Sequence, residues 1–216
     1  MRVCLASTSP ARLMLLRQAG IEPLVVPSEV DEDAVTEAAV AERGGPLRPD
    51  ELVLLLARAK AADVVGGLAA RHPDFDGLVI GGDSMFALDG RVYGKPYTAT
   101  AAAERWARMR GATGVLYSGH SVLRVRPGVP PVEAHAVAEA SVTFAADVTD
   151  AEIDAYVATG EPLLVAGAFT VDSLGGAFIT RVEGDPSTVV GMSLSTLREL
   201  AGRLGVTWTD LWGEPH

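Results

Sequence analysis

The alternation of apolar and polar positions predicts strands and a helix at the start of the chain. The apolar run Arg2–Ala6 predicts a buried strand, and a second strand follows at Leu24–Val26. Between them Ser9 can cap a helix, because Pro10 suits the first helical position and Gly20 suits a helix end. The chain therefore opens with alternating strands and a helix.

The same alternation continues through the first half of the chain. Arg43–Asp50 predicts a loop, and the nearly continuous apolar face of Glu51–Val65 predicts a helix that ends at Gly66-Gly67. Leu78–Gly82 predicts a buried strand, and Asp89-Gly90 predicts a hairpin turn. These segments add one helix and one strand to the expected sheet.

Two long β-type runs dominate the second half of the chain. They cover Val115–Val125 and Val132–Phe144, and the proline-rich turn Pro127–Pro131 separates them. Long antiparallel strands mixed with strand–helix units predict an α/β protein with a mixed sheet in two lobes, within a single domain over residues 1–216. The other elements predicted here are a strand at Gly176–Val182 and helices at Thr100–Arg110, Thr149–Thr159 (opened by a Thr149/Glu152 capping box) and Ser193–Leu204.

The composition is that of a globular protein. Of the 216 residues, 48% are hydrophobic and 21% are charged, and the net charge is −10. So acidic a chain is a poor binder of nucleic-acid polymers, because such binding relies on Lys and Arg. The lone Cys4 suits a reducing compartment, and the longest apolar run, Leu52–Ala57, is too short to span a membrane. No apolar signal segment precedes Ser7, so we expect a cytoplasmic protein.

The segment Ser7–Arg12 joins the first strand to the first helix and is the first candidate site. Backbone N–H groups and the positive end of the helix dipole point towards whatever lies there. A cation such as Arg12 is unfavourable in the first helical turn, and a bound phosphate would reverse that penalty. The alternative is an ordinary helix cap with an exposed Arg12, which is the commoner arrangement.

Two acidic segments are further candidates. Asp31, Glu32 and Asp33 place three carboxylates at a predicted strand end, where they could bind Mg²⁺ or form a solvated turn. Asp83 directly follows an apolar strand, at the edge where α/β proteins bind ligands. Gly81-Gly82 would let a ligand approach the backbone, although Asp83 could equally cap a turn.

Two lysines and a glycine-rich segment complete the candidates. Lys95, held by Pro96 after the hairpin, could bind a phosphate or be an exposed turn residue. Lys60 could also bind a phosphate, or its aliphatic chain could cover apolar surface while its ammonium group reaches solvent. In the glycine-rich segment Thr159–Gly176, a buried Asp172 could accept hydrogen bonds from a nucleotide base, or the segment could be a structural loop.

Taken in order, these segments resemble the Maf family of nucleotide pyrophosphatases. The similarity covers almost the whole chain, and its specificity comes from the number of ordered matches. The matching segments are Leu5–Arg12 with Gly20, Val30–Glu32, Leu56–Ala61, Gly82–Ser84, Gly94–Pro96, Ser118–His120, Glu152–Tyr156, Thr159–Pro162, Ala166–Phe169 and Val182–Gly191.

The resemblance implies a fold, a reaction and a site. The fold would be similar to that of inosine triphosphatases, with a mixed twisted sheet flanked by helices and two lobes around a central nucleotide cleft. The reaction would be hydrolysis of a nucleoside triphosphate between its α- and β-phosphates, in a homodimer that uses Mg²⁺ or Mn²⁺. Asp83 would orient or deprotonate the attacking water and, with Glu32, bind the metal ion. The substrate-binding residues would be Ser7, Arg12, Lys60, Lys95 and Asp172.

The chain departs from the family pattern at two positions. The family often has two arginines after Ser-Pro, whereas here Ala11 takes the first position and Arg12 must act alone. Asp172 stands where one branch has a glutamine thought to face the base. An ionised carboxylate only accepts hydrogen bonds, which suits the N1–H and N2–H₂ donors of guanine. We therefore expect a guanine-type base, such as that of 7-methyl-GTP, with dTTP or UTP as the alternative.

Two other functions compete with this one. Gly82-Asp83-Ser84 is similar to the Gly-Asp-Ser of a lipase-like hydrolase with Ser84 as nucleophile, but that chemistry needs a histidine base. No Asp-x-x-His occurs near the C-terminus, where His216 is the last residue. The other alternative is a non-enzymatic role, since Maf-type proteins are linked by name to septum formation. The retained Glu32, Asp83 and Lys95 favour an enzyme.

Overall fold

The computed structural model describes residues 1–213, so His216 lies outside the described residues. The strands are β1 (Arg2–Ala6), β2 (Leu24–Val25), β3 (Gly77–Leu88), β4 (Arg91–Tyr93), β5 (Thr113–Arg126), β6 (Val129–Phe144) and β7 (Ile179–Gly184). The helices are α1 (Pro10–Gln18), α2 (Glu32–Arg43), α3 (Pro49–Arg71), α4 (Ala99–Met109), α5 (Asp150–Ala158), α6 (Pro186–Val190) and α7 (Leu194–Arg203).

The strands form one mixed sheet in the order β2-β1-β3-β5-β6-β7, and β4 pairs with β3. β1 runs parallel to both of its neighbours, with Leu5 opposite Val25 on one side and Ile80 on the other. The β3–β4 and β6–β7 pairs are antiparallel. The α/β fold with a mixed sheet flanked by helices, predicted from the sequence, is confirmed.

The chain forms two compact units. The first comprises Met1–Asp83, Ser118–Ala138 and the chain from Gly191 onward, and the second comprises Ser84–Tyr117 and Glu139–Val190. Small and branched side chains from β1, β3 and α3 fill a core in the first unit. The core of the second unit is aromatic, with edge-to-face ring contacts among Phe86, Trp106, Phe144, Tyr156, Phe169 and Phe178.

Helix α2 was not predicted from the hydrophobic pattern. It follows Asp31, whose side chain caps the helix by accepting a hydrogen bond from the backbone N–H of Ala34 at 3.0 Å. The expectation of three acids at a strand end was wrong, because Glu32 and Asp33 lie in the first helical turn. No residue of α2 is buried, and its half-buried face consists only of Val35, Thr36, Ala39 and Val40, so the apolar stripe by which helices are recognised is short and weak.

Helix α3 is longer at both ends than predicted. It begins at Pro49, which shortens the expected loop, and it continues through Gly66-Gly67 to Arg71. The glycines do not end it, because Leu68 behind them is buried and keeps the last turns packed. Although α3 has 23 residues, neither it nor any other helix within residues 1–213 is apolar enough to cross a membrane.

Strand β3 also extends beyond its predicted end at Gly82. It continues to Leu88, because its second half pairs with β4 through the hairpin turn at Asp89-Gly90, which is confirmed. Both turn residues have positive φ angles, 50° and 74°. Asp83 therefore lies inside a strand rather than directly after one.

The last strand begins later than predicted. Leu174–Phe178 forms a 3₁₀ turn, so β7 starts at Ile179 instead of Gly176. The capping box at Thr149 and Glu152 is confirmed, as is the final helix, which Ser193 caps. A further short helix, α6, precedes it and was not predicted.

Gly81 allows helix α3 to lie directly against strand β3. A Cβ atom at this position would lie 2.2 Å from the carbonyl oxygen of Ala57 and 2.8 Å from the Cβ of Ala61. Contacts this short do not occur between real atoms, so only glycine permits the approach. Gly81 was expected to let a ligand approach the backbone, but in the structure it admits the helix that carries Lys60.

Replacing Gly81 with alanine should lower the free energy of unfolding by about 1–3 kcal/mol or more, because the added methyl overlaps the α3 backbone. The control is Gly66→Ala in the same helix, where nothing lies within 4 Å of the added atom. That change should raise the free energy of unfolding by about 0.5–1 kcal/mol. Urea unfolding measures both, and equal stability of Gly81→Ala and wild type would contradict the close packing.

Candidate active site

Arg12 lies in the first turn of helix α1 and is buried, with 8% of its surface exposed. Its Nε donates to the carbonyl oxygen of Gly191 at 3.0 Å, and its Nη1 donates to Ser7 Oγ at 3.2 Å. Burial lowers the pKa of Arg12, while the negative charges of Asp83 and Glu32 oppose that effect. A guanidinium stays protonated in proteins, so this is a fixed positive charge. The alternative of an exposed Arg12 was wrong.

Gly82 makes room for this guanidinium. A Cβ atom on Gly82 would lie 3.3 Å from Arg12 Nε, which is tighter than ordinary van der Waals contact. Ser7 is buried beside it, and its Oγ accepts hydrogen bonds from Arg12 and from the backbone N–H of Ser9 at 3.1 Å. Because a hydroxyl also donates, Ser7 retains a proton for a further acceptor.

Lys60 bridges two carboxylates. Its Nζ lies 2.8 Å from Asp83 Oδ1 and 2.8 Å from Glu32 Oε1. The Lys60 and Asp83 side chains are each 12% exposed, whereas that of Glu32 is 51% exposed. Three elements make this cluster: α2 begins at Glu32, α3 carries Lys60, and β3 carries Asp83. The structure thus brings together two residues predicted to bind metal and one predicted to bind phosphate.

The protonation of Asp83 reflects a balance of burial and charge. Burial raises the pKa of the Asp83 carboxyl, and the charge of Glu32 adds to this effect. The charges of Lys60 and Arg12 and the hydrogen bond from Lys60 act in the opposite direction. A carboxylate with a raised pKa is a stronger base than an ordinary aspartate. Asp83 is therefore suited to accepting a proton.

The donor set at this cluster suits a hard divalent cation. Within residues 1–213, no three His, Cys, Asp or Glu side chains lie close enough together to bind a metal ion by themselves. Mg²⁺, however, is usually held by one or two carboxylates together with water and substrate phosphates. Glu32 and Asp83, which both contact the ammonium nitrogen of Lys60, are the two carboxylates that could hold such an ion.

The other two predicted site residues belong to the second unit. Lys95 is exposed and lies just after β4, as predicted. The chain that follows Lys95 is held at Tyr97, whose backbone N–H donates to the carbonyl oxygen of Leu163 at 3.0 Å. Asp172 is exposed, so its predicted burial was wrong. Neither residue belongs to the Lys60 cluster, which lies wholly in the first unit.

Glu161 organises the glycine-rich segment, a role that the sequence analysis missed. Its carboxylate accepts hydrogen bonds from the hydroxyls of Tyr156, Thr170 and Ser173 and from the backbone N–H groups of Leu174 and Gly175. Partial burial alone would raise the pKa of Glu161, but the hydrogen bonds outweigh it and lower the pKa to about 2. The sequence contained one indication of this role, which is an acid between Gly160 and Pro162 that is followed by the hydroxyl residues Thr170 and Ser173.

The low pKa of Glu161 predicts a loss of stability in acid. Its carboxylate stabilises the folded chain fully above its ordinary pKa of 4.5, and this contribution is lost as the pH falls towards 2. Thermal unfolding between pH 7 and pH 2.5 should therefore show a steeper decline for wild type than for Glu161→Gln. Parallel curves for the two proteins would contradict the hydrogen-bond network.

The surroundings of Ser84 do not support the lipase-like alternative. A serine nucleophile of that class sits on a sharp turn from a strand to a helix. Ser84 instead lies in the middle of β3, which continues to Leu88. His120 is fully buried, and its Nε2 accepts a hydrogen bond from the backbone N–H of Ser193 at 2.8 Å. Because this hydrogen bond already occupies Nε2, that nitrogen is not available as the base that a serine nucleophile needs.

The fold and the cluster define an α/β protein with a buried, paired carboxylate beside fixed positive charges. The family model of the Maf-like proteins matches residues 2–204, and the chain belongs to the Maf family. It is 63% identical to a protein of Leifsonia xyli named nucleoside triphosphate pyrophosphatase, over 98% of this chain and 97% of that protein. A protein of Rhodococcus jostii with the same name is 50% identical over 96% and 94% of the two chains.

A comparison with solved structures finds the Staphylococcus aureus Ham1 protein. The match covers 68% of this chain and 73% of that chain, with 13% identity and a TM-score of 0.33. So low a score adds nothing to the assignment, which rests on the family model and the relatives.

Proposed function

We propose that the chain is a nucleoside triphosphate pyrophosphatase that hydrolyses the bond between the α- and β-phosphates, giving a nucleoside monophosphate and pyrophosphate. The observation that carries the proposal is the Lys60 bridge between Asp83 and Glu32, beside the buried Arg12. The names of the relatives support the same reaction. The cluster supplies what phosphoryl transfer requires, which is positioning and charge neutralisation.

Asp83 acts on the attacking water. Its Oδ1 is bonded to Lys60, while its Oδ2 accepts no hydrogen bond from the residues that the structure describes. Oδ2 is therefore the atom that orients the water and accepts its proton. Lys60 holds the carboxylate in place, and burial makes that carboxylate a better base.

The positive charges bind the phosphates. An ammonium has three N–H donors, of which the two carboxylates engage two, so Lys60 keeps one for a phosphate oxygen. Arg12 contributes a fixed charge, and the Ser7 hydroxyl donates a hydrogen bond. Lys95 is assigned to the same substrate from its motif. With Ala11 in place of an arginine, Arg12 acts as the only guanidinium at this turn.

Glu32 and Asp83 are the residues that would hold a divalent cation, Mg²⁺ or Mn²⁺, together with the substrate phosphates. When bound, the ion would neutralise charge that develops on the phosphate oxygens. Glu32 is the more accessible of the two carboxylates, since half of its side chain is exposed. The donor set supports this assignment, as two carboxylates are what Mg²⁺ commonly takes from a protein.

The base is guanine-like, and 7-methyl-GTP is the preferred candidate. Asp172 carries this assignment, because its carboxylate matches the two adjacent N–H donors of guanine. A positively charged 7-methylated ring would strengthen that match. The exposure of Asp172 leaves its oxygens accessible to a ligand. The alternative substrates are dTTP and UTP. A cytoplasmic location and a homodimer stay predictions of the sequence, and the names of the relatives favour an enzyme over the alternative of a non-enzymatic role in septum formation.

Asp83→Asn should reduce pyrophosphate release by about 10²–10⁴-fold, because an amide cannot accept the proton of the attacking water. The assay measures pyrophosphate from a panel of normal and modified nucleoside triphosphates with Mg²⁺. The control is Asp74→Asn, the same change at an 87% exposed side chain, which should leave turnover unchanged. Near wild-type turnover by folded Asp83→Asn would refute the assignment.

Asp172→Gln should shift the substrate preference from guanine towards uracil and thymine, since glutamine both donates and accepts hydrogen bonds. The measurement is kcat/KM for GTP, 7-methyl-GTP, UTP and dTTP. Asp147→Gln removes a charge from another exposed position of the second unit and should change no preference. An unchanged profile for Asp172→Gln would show that the base is read elsewhere.

A further inference from the structure

The carboxylate of Glu161 holds both sides of the segment that carries Asp172. On one side it accepts a hydrogen bond from the hydroxyl of Thr170, two residues before Asp172. On the other side it accepts from Ser173 Oγ at 2.8 Å, and from the backbone N–H of Gly175 at 3.2 Å. One side chain therefore closes a short loop around the residue assigned to the base.

Packing fixes the two ends of this loop but not its middle. Phe169 is 4% exposed and belongs to the aromatic core, and Gly175 is buried against Tyr156, where a Cβ would lie 2.6 Å from the tyrosine hydroxyl. Between them, Asp172 and Ser173 are exposed and Leu174 is 57% exposed. Val171, directly before Asp172, is partly buried against the same core, and the backbone N–H of Gly176 donates to the carbonyl oxygen of Ser173 at 3.0 Å. The hydrogen bonds to Glu161 add to these contacts and hold the exposed part of the loop from both sides.

Glu161 is itself held firmly. Gly160, with φ 77°, turns the chain from helix α5 into the 3₁₀ turn that Glu161 begins. Tyr156, on the last turn of α5, donates its hydroxyl to Glu161 Oε1 at 2.9 Å. The Tyr156 ring packs edge-to-face on Trp106 and Phe178. The carboxylate thus connects the loop to the rigid core of the second unit.

We propose that Glu161 is a positioning residue for base selectivity, which sets the place of the Asp172 carboxylate through its hydrogen bonds to both sides of the loop. This inference rests on the proposed function, in which Asp172 contacts the base. Discrimination between bases by hydrogen bonding requires donors and acceptors to be held within a few tenths of an ångström. Glu161 would supply that constraint without touching the nucleotide.

The test is Glu161→Gln, which keeps the shape of the side chain but turns an NH₂ group towards groups that are themselves donors. We expect the preference for the best guanine substrate over UTP to fall on the order of tenfold, mainly through a higher KM, with kcat little changed. Glu161→Asp, which keeps the charge, should recover part of the preference. The readout is kcat and KM for each triphosphate.

The matched control is Glu152→Gln. Glu152 also accepts hydrogen bonds from a backbone N–H and from a threonine hydroxyl, both of Thr149, in the capping box of α5. Replacing this carboxylate should lower the free energy of unfolding without changing the preference between bases. If both variants lowered preference equally, or if neither did, Glu161 would have only a structural role and the inference would be overturned.

Failure of this inference is distinguishable from failure of the proposed function. If wild type releases no pyrophosphate from any triphosphate, the proposed function fails. If wild type is active and Asp172→Gln changes base preference but Glu161→Gln does not, only the role of Glu161 fails. The double variant, which combines Asp172→Gln with Glu161→Gln, should discriminate between bases as well as Asp172→Gln alone, because Glu161 acts through Asp172. A further loss in the double variant would contradict this order of action.

Discussion

The ion pairs of Lys60 with Asp83 and Glu32 are the interaction on which the candidate site depends. Asp83 is buried, and an unpaired buried carboxylate would be costly or would become protonated. The ammonium of Lys60 compensates that cost while leaving a second carboxylate oxygen available. The same contact places the two carboxylates proposed as base and metal ligands around the Lys60 ammonium, which is itself proposed to bind a phosphate.

This arrangement requires backbones that approach more closely than side chains normally permit. Gly81 lets α3 lie against β3, and Gly119 lets the start of the same helix lie against β5, where a Cβ would be 2.2 Å from the carbonyl oxygen of Val53. Gly82 leaves the space that the Arg12 guanidinium fills. The glycines thus serve the protein's own packing, and through it the placement of charge.

The second unit places its polar groups differently. Its aromatic core holds the ends of the glycine-rich segment, and the exposed middle is held by polar contacts that converge on Glu161. In the first unit Arg12, Lys60 and Asp83 are buried or nearly so, whereas in the second unit the exposed segment around Asp172 is held by hydrogen bonds to the single carboxylate of Glu161. A chain with a net charge of −10 can therefore bind an anionic substrate, because the charges that matter are set locally.

The α/β class, the first strand, the capped helices and the hairpin could be predicted from the amino-acid sequence, because these depend on local signals such as Ser9-Pro10, Asp89-Gly90 and the Thr149 capping box. Ordered motifs also led to the Maf family and to Asp83, Glu32 and Lys60. Four features became visible only in the folded chain: α2 forms although none of its residues is buried, Asp83 lies within β3, Arg12 is buried, and Glu161 accepts hydrogen bonds from five donors. The physical reason is that burial and hydrogen-bond partners are set by residues distant in sequence, which local patterns do not encode.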